Sequence, residues 1–415
     1  MPETHVEKGR TARLERVDGE LRVGSNARIT AAKGRLVTVT GGARFEGNAD
    51  IDCDFECDSL MVDRGRLNVT GNLTVHNGLD VAHTVDAIGA ISAREIDVGG
   101  KMIAKSISCV GAVRVGGLVD VKETLEAGAV EVGGKVAVSG AVKLTDLSVG
   151  GKADVGGGAI SGHISVGGVF ASKAPLEFGE LQVYGSCTLS ASCKGKKLST
   201  FGKLSVEGDL ACERVDVGGV TTVRGTLSSS EVLVNGKLEV SGSLSTKGAL
   251  EVNGSCEVRE ELNGGDLRVG GRFRARRALL GNQVDISGEV ETLQGLRGKS
   301  VVIRTGTRCR GPLVGERVEL GKSGLVLANW GASWAGQSIV MRGIGKMTDA
   351  EDIYGGEVVL GSHARCRRIF ADKVELSEGC IVEQVTYTQE LRRSSGRQFL
   401  THPAEKVGEL PPFPI

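Results

Sequence analysis

The chain lacks most of what a catalytic or membrane-spanning protein displays. Aromatic residues are 3% of 415 residues, with two Trp and three Tyr. That is too few for most enzymes of this size, yet suits a narrow core of Val, Leu and Ile. Net charge is absent, since 51 Lys and Arg balance 51 Asp and Glu. No global field therefore draws the chain to nucleic acid or an anionic membrane, and a neutral chain can associate with itself. No apolar run reaches 18 residues and the first residues are charged and polar, so neither a membrane span nor a secretory leader is expected. A cytoplasmic location follows. No membrane attachment is evident.

The usual chemical motifs are missing too. The six His form no ligand pair at metal spacing, and there is no Cys-x-x-Cys. No Gly-x-Ser-x-Gly or phosphate-binding Gly-x-x-x-x-Gly-Lys is present. His83 and His163 are isolated outer or loop residues. No cofactor, metal or catalytic residue is expected.

What the chain does have is repetition. Val98-Gly99-Gly100, Val115-Gly116-Gly117, Val132-Gly133-Gly134, Val149-Gly150-Gly151 and Val166-Gly167-Gly168 recur every 17 residues. The phrase continues as Val183-Tyr184-Gly185, weakens at Thr200-Phe201-Gly202, and resumes at Val217 and Val234. One extra residue precedes Val252, and Val269 follows 17 later. A fixed short period marks a solenoid.

The columns of the repeat give its cross-section. Two residues before the key Val stand Ile96, Val113, Val130, Leu147 and Ile164; four after it stand Met102, Val119, Val136, Ala153 and Phe170. Apolar residues two apart make a strand with one inward face, and the glycines supply the bend between strands. The fold expected is an all-β, single-stranded parallel β-helix of about 17 residues per coil, with three short strands per coil. Asp97, Arg114 and Glu131 share an outward column, so opposite charges meet across coils. Cys187, Cys193 and Cys256 replace Val or Leu in inward columns, which makes them small buried hydrophobes.

Taken in order, residues 1–18 read as a flexible polar tail, 19–391 as a continuous β-helix, and 392–415 as a polar, Pro-rich tail. Residues 19–391 amount to about 22 coils in one elongated body. From Asp50 to Asp58, Ile51, Cys53, Phe55 and Cys57 alternate with Asp50, Asp52, Asp54, Glu56 and Asp58. This reads as one strand with an acidic outer face: a solvated surface, a docking stripe for a basic partner, or a weak cation site. Residues 266–310 carry ten basic residues, among them Arg268, Arg272, Arg274, Arg276 and Arg277, against four acids, an excess of six. Trp330 and Trp334 share one insertion, which either offers an interaction spot or folds over its own bulge.

The run Ile353-Tyr-Gly-Gly-Glu-Val-Val-Leu-Gly-Ser-His-Ala-Arg-Cys-Arg-Arg-Ile369, followed by Val374-Glu-Leu-Ser-Glu-Gly-Cys-Ile-Val382, resembles the bactofilins, polymer-forming cytoskeletal proteins. The resemblance implies a right-handed β-helix flanked by tails, and nucleotide-independent filaments formed by stacking open helix ends. This chain departs from the family in its many coils and in lacking an apolar anchor between Met1 and Arg10. An open coil end presents unpaired backbone groups and a core cross-section, and solenoids that stay monomeric cap such ends. The expected function is a structural protein whose partner is itself, with other cytoskeletal or membrane-associated proteins as further partners. Leu21 and Val23 are expected at one polymer end and Leu376, Val382 and Leu391 at the other. The acidic and basic stretches and the two Trp are expected to make lateral or partner contacts. The alternatives are a binding scaffold recruiting partners through those faces, and, less favoured, a β-helix enzyme acting on saccharide or acyl substrates.

Overall fold

The structure, a computed structural model, describes residues 2–304, 306–322 and 347–412. Regular structure there consists of strands, all paired in parallel in the registers given below. The chain is a parallel β-solenoid, and it divides into two compact units, residues 1–210 and 211–415.

In the first unit the early coils carry three strands each. One face stacks Glu3–Val6, Glu20–Val23, Ala43–Phe45, Leu60–Val62, Gly78–Val81, Glu95–Val98 and Ala112–Val115. A second face runs from Thr11–Leu14 through Ala27–Ala31 to Lys135–Val138, and a third from Arg16–Val17 through Leu36–Val39 to Ser106–Cys109. From Leu125–Val132 onward the third strand of one coil fuses with the first strand of the next, leaving two strands per coil. Residues at even spacing point inward, so Ile96, Val113, Val130 and Leu147 lie in one column, each at most 1% exposed. The interior is a stack of such columns, each fully buried side chain contributing about 1.5–3 kcal/mol.

The paired glycines have a steric cause. They are absent from the positive-φ residues, so conformational freedom is not what selects them. A Cβ added at Gly117 would lie 2.5 Å from the carbonyl oxygen of Gly100, and one at Gly134 would lie 2.3 Å from that of Gly117. Each coil therefore closes onto the backbone of the coil before it.

Two expectations need correction. Residues 3–17 are not a tail: they form three strands that pair in register with the next coil. Their inward residues Val6, Ala12, Leu14 and Val17 follow the core pattern, hidden in the sequence by charged outward neighbours. Nor do residues 392–412 stop coiling at once. Phe399–Leu400 and Glu405–Lys406 lie in parallel on Ile381–Arg393.

In the second unit the coils change character again. Leu227–Val234 pairs with two strands, Leu244–Thr246 and Ala249–Val252, because the extra residue of the repeat is taken up between them, at Lys247–Gly248. Toward the end each coil becomes a single 13-residue strand: Thr348–Leu360, Ala364–Leu376 and Ile381–Arg393. Their registers, Thr348 with Ala364 and Leu360 with Leu376, give a period of 16 rather than 17.

Candidate interaction surfaces

The acidic stretch is not one strand. The chain bends after Ile51, so Ala49–Ile51 belongs to the second face and Asp54–Cys57 to the third. Each acid is engaged by a neighbouring coil. Arg28 Nε lies 2.8 Å from Asp52, and Asn68 Nδ2 donates to Asp50 at 2.7 Å. The Asn72 amide donates to Asp54 at 2.7 Å, Asn77 Nδ2 donates to Asp58 at 2.7 Å, and His76 Nε2 lies 2.9 Å from Glu56. These carboxylates join coils, and a basic partner would have to displace those bonds.

Five basic residues of the second stretch meet acids of neighbouring coils. Arg272 meets Glu289 at 2.9 Å, Arg274 meets Glu291 at 3.0 Å, and Arg276 meets Glu260 at 3.4 Å. Arg277 pairs with Glu261 and Arg304 with Asp285. Arg268 stands in register between Glu251 and Asp285. The linear excess of six positive charges omitted the acids of the preceding coil, which the winding brings alongside. Exposed pairs of this kind contribute at most about 1 kcal/mol each.

Four of the five residues expected at the polymer ends are covered by a further layer of chain. Leu21 and Val23 are 1% and 0% exposed, in register with Thr4 and Val6. Leu376 and Val382 are both fully buried, and Leu400 lies over Val382. Leu391 alone of the five is half-buried. Trp330 and Trp334 lie outside the described residues.

Two features escaped the sequence reading, and a third refines the open end it expected at Leu391. Tyr184 and Phe201 occupy the glycine corner of two successive coils, stacked at 5.3 Å and 11°, and are 54% and 61% exposed. Their 17-residue separation was a usable signal. The second is Asp352, only 7% exposed, which accepts from two adjacent arginines. Arg367 reaches it through Nε at 2.9 Å and Nη2 at 2.6 Å; Arg368 does so at 3.0 and 2.5 Å. Burial alone would raise this carboxyl, but the bonds from Arg368 and Arg367 win and hold it at about 2. Arg368 also lies 5.7 Å from the ring of Phe370, which stacks on Tyr354 at 4.9 Å. The third is the outer edge of Ile381–Arg393. Its inner side pairs from Arg365–Ile381 through Leu376–Arg393, whereas Phe399–Leu400 and Glu405–Lys406 cover only part of its outer side.

No family model, no curated protein and no solved structure matches this chain.

All ten cysteines are buried and unpaired. Burial pushes the Cys256 and Cys309 thiols up to about 12. His163 Nδ1 sits 3.0 Å from Glu180, and its amide donates to Asp146 at 2.8 Å. Lys197 completes that column at 2.6 Å from Glu180. The arrangement links coils through hydrogen bonds and a Lys197–Glu180 ion pair, the outward counterpart of the apolar columns.

Proposed function

We propose that this protein is a structural β-solenoid that assembles with copies of itself through coil edges, without nucleotide, as its resemblance to bactofilins implies. The observation that carries the reading is the strand Ile381–Arg393. One side is laddered along nearly its whole length, while beyond Tyr387 the other side has no strand partner among the described residues. An unpaired edge of a regular parallel ladder is a template for another strand, and a coil of the same repeat matches both its spacing and its apolar columns. Ten free thiols fit a reducing compartment, in keeping with the cytoplasmic expectation.

The test is assembly of the purified full chain without nucleotide, followed by sedimentation and negative-stain microscopy. Leu391→Asp is the informative variant, because Leu391 is half-buried beside the uncovered edge. It is expected to keep its β circular dichroism and to stay unassembled where the wild type forms filaments. A wild type that remains monomeric at every concentration, or a Leu391→Asp protein that polymerises equally well, overturns the reading.

A partner-recruiting scaffold remains as a second reading on one observation, the exposed Tyr184–Phe201 stack. Two large rings held open to water mark a contact surface.

A further inference from the structure

We propose that residues 394–412 are a displaceable cap over the edge where a second copy of this chain docks. The inference rests on the self-assembly reading and adds a control to it. The strand Ile381–Arg393 shows how unequal its two sides are. On the inner side ten residue pairs are in register, from Arg365–Ile381 to Leu376–Arg393. On the outer side four are: Ile381 with Phe399, Val382 with Leu400, Thr386 with Glu405, and Tyr387 with Lys406.

The outer layer is also a poor strand. Beyond those ladder pairs, its backbone bonds to the coil include Ser394 to Leu376 at 3.0 Å, Phe399 to Cys380 at 3.0 Å, Thr401 to Val382 at 3.0 Å, His402 to Glu383 at 2.9 Å and Val407 to Tyr387 at 2.9 Å, with the Gly379 amide donating to Arg397 at 2.7 Å. Pro403, Pro411 and Pro412 have no amide to give. Phe399 is 58% exposed. Among the described residues no ion pair ties this layer to the strand beneath, although Glu405, Lys406 and Glu409 are exposed.

What lies under the layer is core. Cys380, Val382 and Val385 are fully buried, in the same inward pattern as every internal coil. A lifted cap leaves both a backbone edge and an apolar cross-section to be covered. A lone extended peptide pairs with the edge; another coil of the same shape covers both. That argues for a second copy as the occupant. Thr388–Arg393, whose outer side already has no strand partner among the described residues, is where the incoming coil first pairs, before displacing Phe399–Leu400 and Glu405–Lys406.

The experiment uses the full chain and two readouts. Hydrogen exchange on the unassembled wild type should show the amides of Phe399, Thr401, His402 and Val407 exchanging at least about 100-fold faster than those of Ala364–Leu376, the signature of local opening. Leu400→Asp should abolish that residual protection. If the cap covers the edge about nine-tenths of the time, unseating it lowers the onset concentration for assembly about tenfold. Cap amides as protected as the ladder overturn the proposal without reference to any variant. An unchanged or raised onset for Leu400→Asp, with the wild type assembling, overturns the cap and leaves self-assembly standing. Failure of both proteins to assemble overturns the self-assembly reading and the cap with it.

Discussion

Asp352 offers the sharpest quantitative test of how the coils after residue 347 are held. Asp352 is 7% exposed, and its carboxylate takes four hydrogen bonds from Arg367 and Arg368. Its acidity is moved from an ordinary 3.8 to about 2. A difference of that size corresponds to about 2–3 kcal/mol of preference for the charged form when folded. Both arginine heads remain 41–50% exposed, so screening by water argues for the lower figure, about 2 kcal/mol. Asp352→Asn removes the charge and sets an amide against two guanidinium groups. At neutral pH, amides of Ala364–Leu376 should then exchange about 30-fold faster. The sign with pH is fixed by the depressed value. The stabilisation is complete above the ordinary carboxyl range and is lost as pH falls through about 2. Urea midpoints of the wild type should therefore drop between about pH 4 and 2, with a smaller drop in Asp352→Asn. Unchanged exchange at neutral pH, or equal acid sensitivity of the two proteins, would refute the clamp.

Other outcomes follow from the columns. Val136→Asp puts an unpaired carboxylate at a fully buried position, costing about 3–5 kcal/mol, and should yield insoluble protein. Lys135→Asp, exposed on the adjacent outward position, should remain soluble with an unchanged circular dichroism spectrum. Because burial raises the thiols, with Cys57, Cys256 and Cys309 near 12, a thiol reagent at mildly alkaline pH should label few or none of the ten in folded protein, and all ten in denaturant.

The repeat was legible wherever its period was strict. Ile96, Val113 and Val130 fall in one buried column as their spacing predicts. Legibility failed where the period drifted. Leu21 pairs with Ala43, 22 residues on, and Leu60 with Leu79, 19 on, so the first coils have no constant spacing to read. Val6 and Val17 were masked by charged outward neighbours in the same way. The charged surfaces failed for another reason. A linear window counts Arg276 and Arg277 without Glu260 and Glu261, which lie 16 residues back and yet touch them. On a solenoid, electrostatics is written along the column rather than along the chain.

The glycine corners constrain how such a chain can lengthen or shorten over evolutionary time. A Cβ at Gly134 would strike the carbonyl of Gly117, and one at Gly151 the carbonyl of Gly134, so each of these corners closes directly on the corner one period earlier. Duplication or loss of one whole 17-residue period keeps every corner over a corner, whether the residue beneath is glycine or, as under Gly100, His83. Any other length must be absorbed away from the corner, as the additional residue near Lys247 is absorbed by splitting one strand into two. The gene can thus change this protein's size in whole steps, each new coil inheriting a ready-made floor and ceiling from the copies beside it.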